Sequence, residues 1–415
     1  MSLLSTLARR GTIARLARLK HGRLLVHEAG GVVSAGDPAA EPLAIRVHDA
    51  RFHESVAFGG AVGAGEAYAA GWWSSDDLTG VVRLMLRNRE ALDGLESGAA
   101  SLAGVLRKLL HTLNANSRRG ARRNIRAHYD LGNDFFALFL DETLTYSCAL
   151  FDRPDATLAQ ASVAKYDRIA KLLDLRPSDH VLEIGTGWGG FAMHAASRYG
   201  CRVTTTTISP AQLSLARQRV HEAGLGDRVT VLGLDYRDLR GTYDKLASIE
   251  MIEAIGHEQY ETFYRQCARF LAPHGRAAIQ AITIAEDRYE AARREMDFIK
   301  RYIFPGSCIP SRSALAAAAA GAGLTQLRAD EMGLHYAETL RRWRGNLLAN
   351  RDRIMTLGYD DRFLRLWEFY LCYCEGGFLE RAIGTAQLLY ARDAASAATP
   401  TPVAAVPPAP SERAA

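Results

Sequence analysis

Residues 181–190, VLEIGTGWGG, constrain the fold more than any other part of this 415-residue chain. An apolar run of strand character meets a carboxylate, Glu183, near its end. Gly185, Gly187, Gly189 and Gly190 follow, then a helical stretch, FAMHAASRY. Glycines at this spacing let the backbone turn sharply where a buried strand stops. A ligand can then lie against bare main chain and the positive end of the next helix. The segment therefore calls for a nucleotide-like cofactor.

The same run fits G-x-G-x-x-G through Gly185, Gly187 and Gly190, which keeps a dinucleotide in play. Two features favour S-adenosylmethionine instead. Glu183, two residues before the first glycine, suits a cationic ligand better than a pyrophosphate. The next strand, RVTTTTI (202–208), runs into Ser209 and lacks the ribose-binding acid that a dinucleotide site places about twenty residues on. The glycines alone leave NAD, or a turn with no ligand, open.

Apolar residues make up 48% of the chain and charged ones 23%, as in globular proteins of two or three domains. No apolar run reaches the ~18 residues of a membrane span, and no secretory signal is read at the N-terminus. Six cysteines without C-x-x-C spacing imply reduced thiols in a cytoplasmic protein and no metal site. Net charge is +5, unevenly spread. Residues 1–23 hold Arg9, Arg10, Arg15, Arg18, Lys20 and Arg23 with no acid, interleaved with leucines. This is either a basic amphipathic helix for an anionic membrane surface or a packed helix with a solvated basic face. Residues 97–129 are also free of acids, and their centre, NANSRRGARRN, reads as a connection between domains. No aromatic recognition motif accompanies it, so nucleic acid is not the expected partner.

Residues 1–112 read as a small mixed domain, 113–127 as a basic linker and 393–415 as a disordered Ala/Pro-rich tail. Between them, 128–392 alternate strand and helix. The expected strands are 181–185, 202–208, 229–234, 246–252 and 277–284, with helices at 158–174, 190–199, 210–223 and 258–271. Such alternation predicts an α/β fold with a parallel doubly wound sheet, the ligand at the carboxyl ends of its strands. Residues 285–312 read as a lid or insertion, and 361–391 as one or two packed helices.

Eight segments in one order resemble the cyclopropane-fatty-acyl-phospholipid synthases and the mycolic-acid cyclopropane synthases and methyltransferases. They are GEAYAAGWW (65–73), HYDLGNDFFALFLD (128–141), TYSCALF (145–151), VLEIGTGWGG, TISPAQ (207–212), DYRDL (235–239), YIFPGSCIPS (302–311) and HYAETLRRW (335–343). The resemblance covers roughly residues 40–392, and its N-terminal part points to the phospholipid-acting branch. It implies a Rossmann-like S-adenosylmethionine-dependent methyltransferase fold with a smaller N-terminal mixed domain. It also implies a peripheral enzyme at the inner face of the membrane, acting on unsaturated acyl chains of a phospholipid bilayer, and hints at a homodimer.

In that family an alkene attacks the methyl of S-adenosylmethionine, and a bound bicarbonate ion then removes a proton so that a cyclopropane ring closes. Carried over, Cys148, Glu253, Tyr336, Gln280 and Ile282 fall at the bicarbonate-binding positions. Gln280 stands where the bacterial prototype has His, and Ala254 where a His usually follows the Glu. Gln can donate a hydrogen bond to an anion but cannot carry charge or relay a proton. A methylene- or methyl-branched product is therefore the alternative outcome. Tyr129, Tyr146, Ser147, Glu183, Gly185, Gly187 and Gly189 are expected around the cofactor, with Thr207 and Gln212 near the ribose and Asp235 and Tyr236 near the adenine. Two other classes stay open: a lipid-binding homologue without catalysis, and a small-molecule methyltransferase.

Overall fold

The strand–helix alternation that begins near residue 158 builds one seven-stranded sheet in the computed structural model, which describes residues 3–93, 131–392 and 403–410. The described chain separates into two compact units. One comprises the described part of Met1–Leu113 with Arg294–Ile303 and Trp343–Ala382. The other comprises the described parts of Asn114–Arg293 and Ile383–Ala415 with Phe304–Arg342.

The first unit carries a four-stranded sheet of β1 (Arg23–Glu28), β2 (Gly31–Gly36), β3 (Pro42–Val47) and β4 (Trp73–Ser74) in the order β2-β1-β3-β4. Its first helix, Leu3–Leu16, buries Ala8, Thr12 and Leu16. The Thr12 hydroxyl donates to the His53 carbonyl (3.3 Å), and the Arg9 guanidinium pairs with Glu28. One side of this basic helix is thus packed. The Gly-rich stretch before the tryptophans is mostly helical, within Arg51–Ala69, and the helix kinks at Gly60 (φ 55°). GEAYAAGWW organises this unit. Glu66 accepts from the Tyr302 hydroxyl (2.5 Å), Tyr68 donates to Glu368 (2.8 Å), and the Trp73 indole donates to the Ala64 carbonyl (2.9 Å). Phe298 and Phe369 lie edge to face with ring centres 4.8 Å apart, and Gly65 sits against both rings.

The second unit contains β5 (His180–Ile184), β6 (Arg202–Thr206), β7 (Val229–Leu232), β8 (Tyr243–Ile249), β9 (Leu271–Ile284), β10 (Thr325–Glu331) and β11 (Ile383–Ala391). The order is β10-β11-β9-β8-β5-β6-β7, with β11 antiparallel to both neighbours and the other pairs parallel. All five expected strands form. Residues 383–391, expected to continue a packed helix, are instead β11. The helix Asp361–Leu379 ends before it, and Arg381 (φ 54°) turns the chain into an alternative extended course. An apolar run of nine can serve as a strand buried on both faces as well as a helix, and here tertiary pairing decides. Both sheet faces are covered: Ile169, Leu173, Phe191 and Val203 lie in one apolar layer, and Leu246, Phe263, Phe270 and Ile279 in the other. Part of the tail expected to be disordered has a defined place. The Val403 carbonyl accepts from Arg328 (2.9 Å), His335 bonds the Pro407 carbonyl (2.6 Å), and Ala409 is buried.

From β5 the chain moves outward to β6 and β7, then returns to place β8 on the other side of β5. The carboxyl ends of β5 and β8 flank this reversal, where an open α/β sheet leaves a crevice. Among the described residues no helix is long and apolar enough to cross a membrane.

A Cβ at Gly65 would lie 2.5 Å from Phe298 and 2.8 Å from Phe369, closer than side chains can approach. Gly65→Ala should therefore destabilise the protein by about 1–3 kcal/mol, as overpacking of a tight core does, and a denaturant titration will measure the loss.

Candidate active site

The site has two halves, the crevice at the ends of β5 and β6 and a polar cluster beside it at the ends of β8 and β9. In the first, Gly185, Gly187 and Gly189 have φ of 104°, 52° and 87° and carry the chain from β5 into the helix Gly190–Tyr199. A side chain at the first of these would meet Met251 at 3.3 Å, so the loop presents bare main chain. Glu183 is buried beneath it and accepts from the Thr205 hydroxyl (2.6 Å), which in turn contacts the Thr186 hydroxyl (2.7 Å). Burial pushes the Glu183 carboxyl up to about 8, against the opposing effects of Thr205 and Lys165. A buried carboxylate in this state favours a bound cation.

The other residues expected at the cofactor surround the same crevice. Ser147, Thr207, Gln212, Asp235 and Tyr236 all line it, as does Tyr146, whose ring packs on Phe136 and Phe139. Thr207 donates to the Gln212 side chain (2.8 Å), while the Asp235 carboxylate is held by both arms of Arg237 (2.8 and 2.7 Å). The Tyr236 ring meets Phe263 edge to face, and its buried hydroxyl has no partner among the described residues. Gly189 caps the helix rather than lining the crevice. Tyr129 lies outside the described residues. These groups fit S-adenosylmethionine: a buried acid for its cationic end, bare backbone beside it, and polar side chains further along.

The second half gathers residues far apart in the sequence around a carboxylate that the motifs did not single out. Glu250 directly follows β8 and has φ 49°, a backbone conformation uncommon outside glycine. Its Oε1 accepts the Cys148 backbone N–H (2.9 Å) and the Gln280 amide N–H (2.7 Å), and its Oε2 accepts the Tyr336 hydroxyl (2.7 Å). Burial raises its pKa, opposed by Lys165 and by these three donors. Gln280 lies on β9 opposite Gln387 of β11, whose amide donates to Gln280 Oε1 (3.0 Å) and so turns the Gln280 N–H toward Glu250. Lys165, fully buried on the helix Leu158–Leu173, donates to the Ser147 hydroxyl (2.7 Å), and burial pushes it down to about 8.

Cys148, Gln280 and Tyr336 thus converge as expected, but on Glu250 rather than on Glu253. Glu253 lies on the following turn, where its Oε1 accepts the Ile282 backbone N–H and its Oε2 has no partner among the described residues. Burial and the neighbouring Glu250 charge push Glu253 up to about 8. The Cys148 thiol is raised by burial and donates to the Ala149 carbonyl, an arrangement for an inert thiol rather than a nucleophile. The residues present do not fit a bicarbonate ion: three donors expected to hold one already serve the Glu250 carboxylate.

The profile of the family described as mycolic acid cyclopropane synthetase matches residues 116–388. The chain belongs to this family. It is 40% identical over 373 residues to the tuberculostearic acid methyltransferase UfaA1 of Mycobacterium tuberculosis, covering 85% of this chain and 84% of that one. It is 33% identical over 372 residues to the cyclopropane-fatty-acyl-phospholipid synthase of Escherichia coli K12, covering 89% and 92%. Among solved structures, the mycolic acid cyclopropane synthase CmaA1 complexed with SAH and CTAB aligns with a TM-score of 0.61 at 32% identity, over 65% of this chain and 98% of that one. This family member is an S-adenosylmethionine-dependent methyltransferase of the cyclopropane synthase type, acting on lipid.

In the ligand-free protein the Glu183 carboxyl is raised from 4.5 to about 8. The folded state then holds its proton more tightly than the unfolded chain, and its contribution to stability is lost as pH rises across that window. Glu183→Gln should therefore raise the ligand-free Tm relative to the parent, by a margin that grows from pH 5 to pH 8. Calorimetry should show its affinity for S-adenosylmethionine falling about tenfold or more, the scale of one lost charge-assisted contact.

Proposed function

We propose that this enzyme methylates the double bond of an unsaturated acyl chain in a membrane phospholipid and that the product closes to a cyclopropane. The observation that carries the reading is the crevice itself. Glu183, the glycine loop and Glu250 all line it, so a cationic methyl donor bound there lies beside a second acidic residue. An alkene has no proton to give before it reacts, so no general base is needed for its attack. The proton must instead leave afterwards, from the methyl just added.

S-adenosylmethionine, when bound, supplies the methyl that joins the alkene and leaves a cation on the neighbouring carbon. Tyr146 and Trp188, on the crevice wall, exclude water and offer aromatic faces that stabilise positive charge. Loss of a methyl proton lets the C–H electron pair close the ring. The working location in this reading is the inner face of the cytoplasmic membrane. Resemblance to the phospholipid synthase of E. coli supports the substrate.

A second reading has its own support. Gln280 replaces a chargeable His, and the 40% identical relative is a tuberculostearic acid methyltransferase. Both favour a methylene- or methyl-branched chain. Expression in a bacterium lacking cyclopropane lipids, fed methyl-labelled methionine, separates the readings by mass spectrometry of its fatty acids. The expected product is heavier by one CH₂, carries the labelled carbon in a ring and has no remaining double bond. A labelled methylene or methyl branch would move the function to the second reading, and absence of labelled lipid would reject both.

A further inference from the structure

We propose that Glu250 is the catalytic base of this enzyme, its side chain occupying the place of a free anion, an assignment that rests on the proposed alkene methylation. Four observations support it. Glu250 is one of the residues on the wall of the crevice that also holds Glu183 and Gly185. Its donors come from three separate parts of the second unit: the Cys148 main chain, Gln280 on β9 and Tyr336 on the helix Gly333–Ala349. The backbone at Glu250 is held at φ 49°, the kind of unfavourable conformation that persists where its surroundings enforce it. Lys165, buried nearby, is its electrostatic counterpart.

The hydrogen-bond accounting leaves room for the reaction. An ionised carboxylate has about four lone-pair sites. Two on Oε1 are taken by Cys148 and Gln280 and one on Oε2 by Tyr336, which leaves one on Oε2 to receive a proton. In the step assigned to it, a C–H bond of the newly added methyl breaks and its electron pair forms the ring bond to the cationic carbon. The proton goes to Glu250 Oε2 and passes to water before the next turnover. Gln280 and Gln387 are positioning residues. They hold the amide N–H toward Oε1 and do not themselves take the proton. Replacement of His by Gln at position 280 therefore leaves the site with a base.

The test uses the purified full chain, S-adenosylmethionine and dioleoyl phosphatidylglycerol vesicles in buffer freed of carbon dioxide, with and without 10 mM bicarbonate. S-adenosylhomocysteine release and the methylated lipid are both measured. The parent enzyme should change by less than about twofold on adding bicarbonate. Glu250→Gln should form lipid product at least about a hundredfold more slowly, the scale of a lost general base, while retaining S-adenosylmethionine binding. Glu250→Gly, which vacates the anion position, should recover about tenfold with bicarbonate. A parent enzyme that loses about tenfold without bicarbonate and regains it on addition would overturn the proposal, as would Glu250→Gln at close to parental rate. The parent measurement decides even if neither variant folds. If the parent methylates no vesicle lipid, the proposed function has failed, and ¹³C-bicarbonate line broadening still tests the site. Broadening with Glu250→Gly and none with the parent supports Glu250 as the occupant, and broadening with the parent refutes it.

Discussion

A carboxylate buried without donors or countercharge would take up a proton or unfold its surroundings. Two acids at the carboxyl ends of neighbouring strands, Glu183 on β5 and Glu250 after β8, set the terms on which the second unit is built. Glu183 is held by Thr205 of the adjacent strand and is otherwise undersupplied, which suits it to an incoming cation. Glu250 is supplied from within, by three donors. Both residues line one crevice but differ in supply: among the described residues one carboxyl has a single hydroxyl donor and the other has three donors.

The order of the strands explains why both acids meet there. A parallel sheet that reverses direction of growth between β5 and β8 separates the loops at their ends, and the space left is the crevice. Each acid is positioned by a regular element, with only short irregular backbone between strand and site. Such placement suits the proposed reaction, in which the chain's residues exclude water from a cation and accept a proton at one defined atom.

What could be read from the sequence was local. The glycine loop, Glu183 and the helix after them occupy one continuous stretch, so spacing alone predicted their geometry. Glu250 was hidden for the opposite reason. Its partners lie at positions 148, 280 and 336, and Glu253, three residues on, is the acid that matches the family pattern. The repeated acid in SIEMIEAIG, directly after an apolar strand, was the available signal. Lys165 gave none, since a lone lysine in an amphipathic helix is usually solvated. The strand at 383–391 was missed because its apolar residues continue those of the preceding helix, and only pairing with β9 and β10 distinguishes the two.

That last strand has a consequence for how the protein is made. β11 lies between β9 and β10, antiparallel to both, yet it is synthesised after either of them. On the ribosome, the sheet edge at β9 waits through the emergence of about a hundred further residues before its neighbour exists. Until then Gln280 has no Gln387 to orient its amide. The nascent chain can therefore form its cofactor loop well before the cluster around Glu250 is complete, and that cluster is finished only with the insertion of the C-terminal strand.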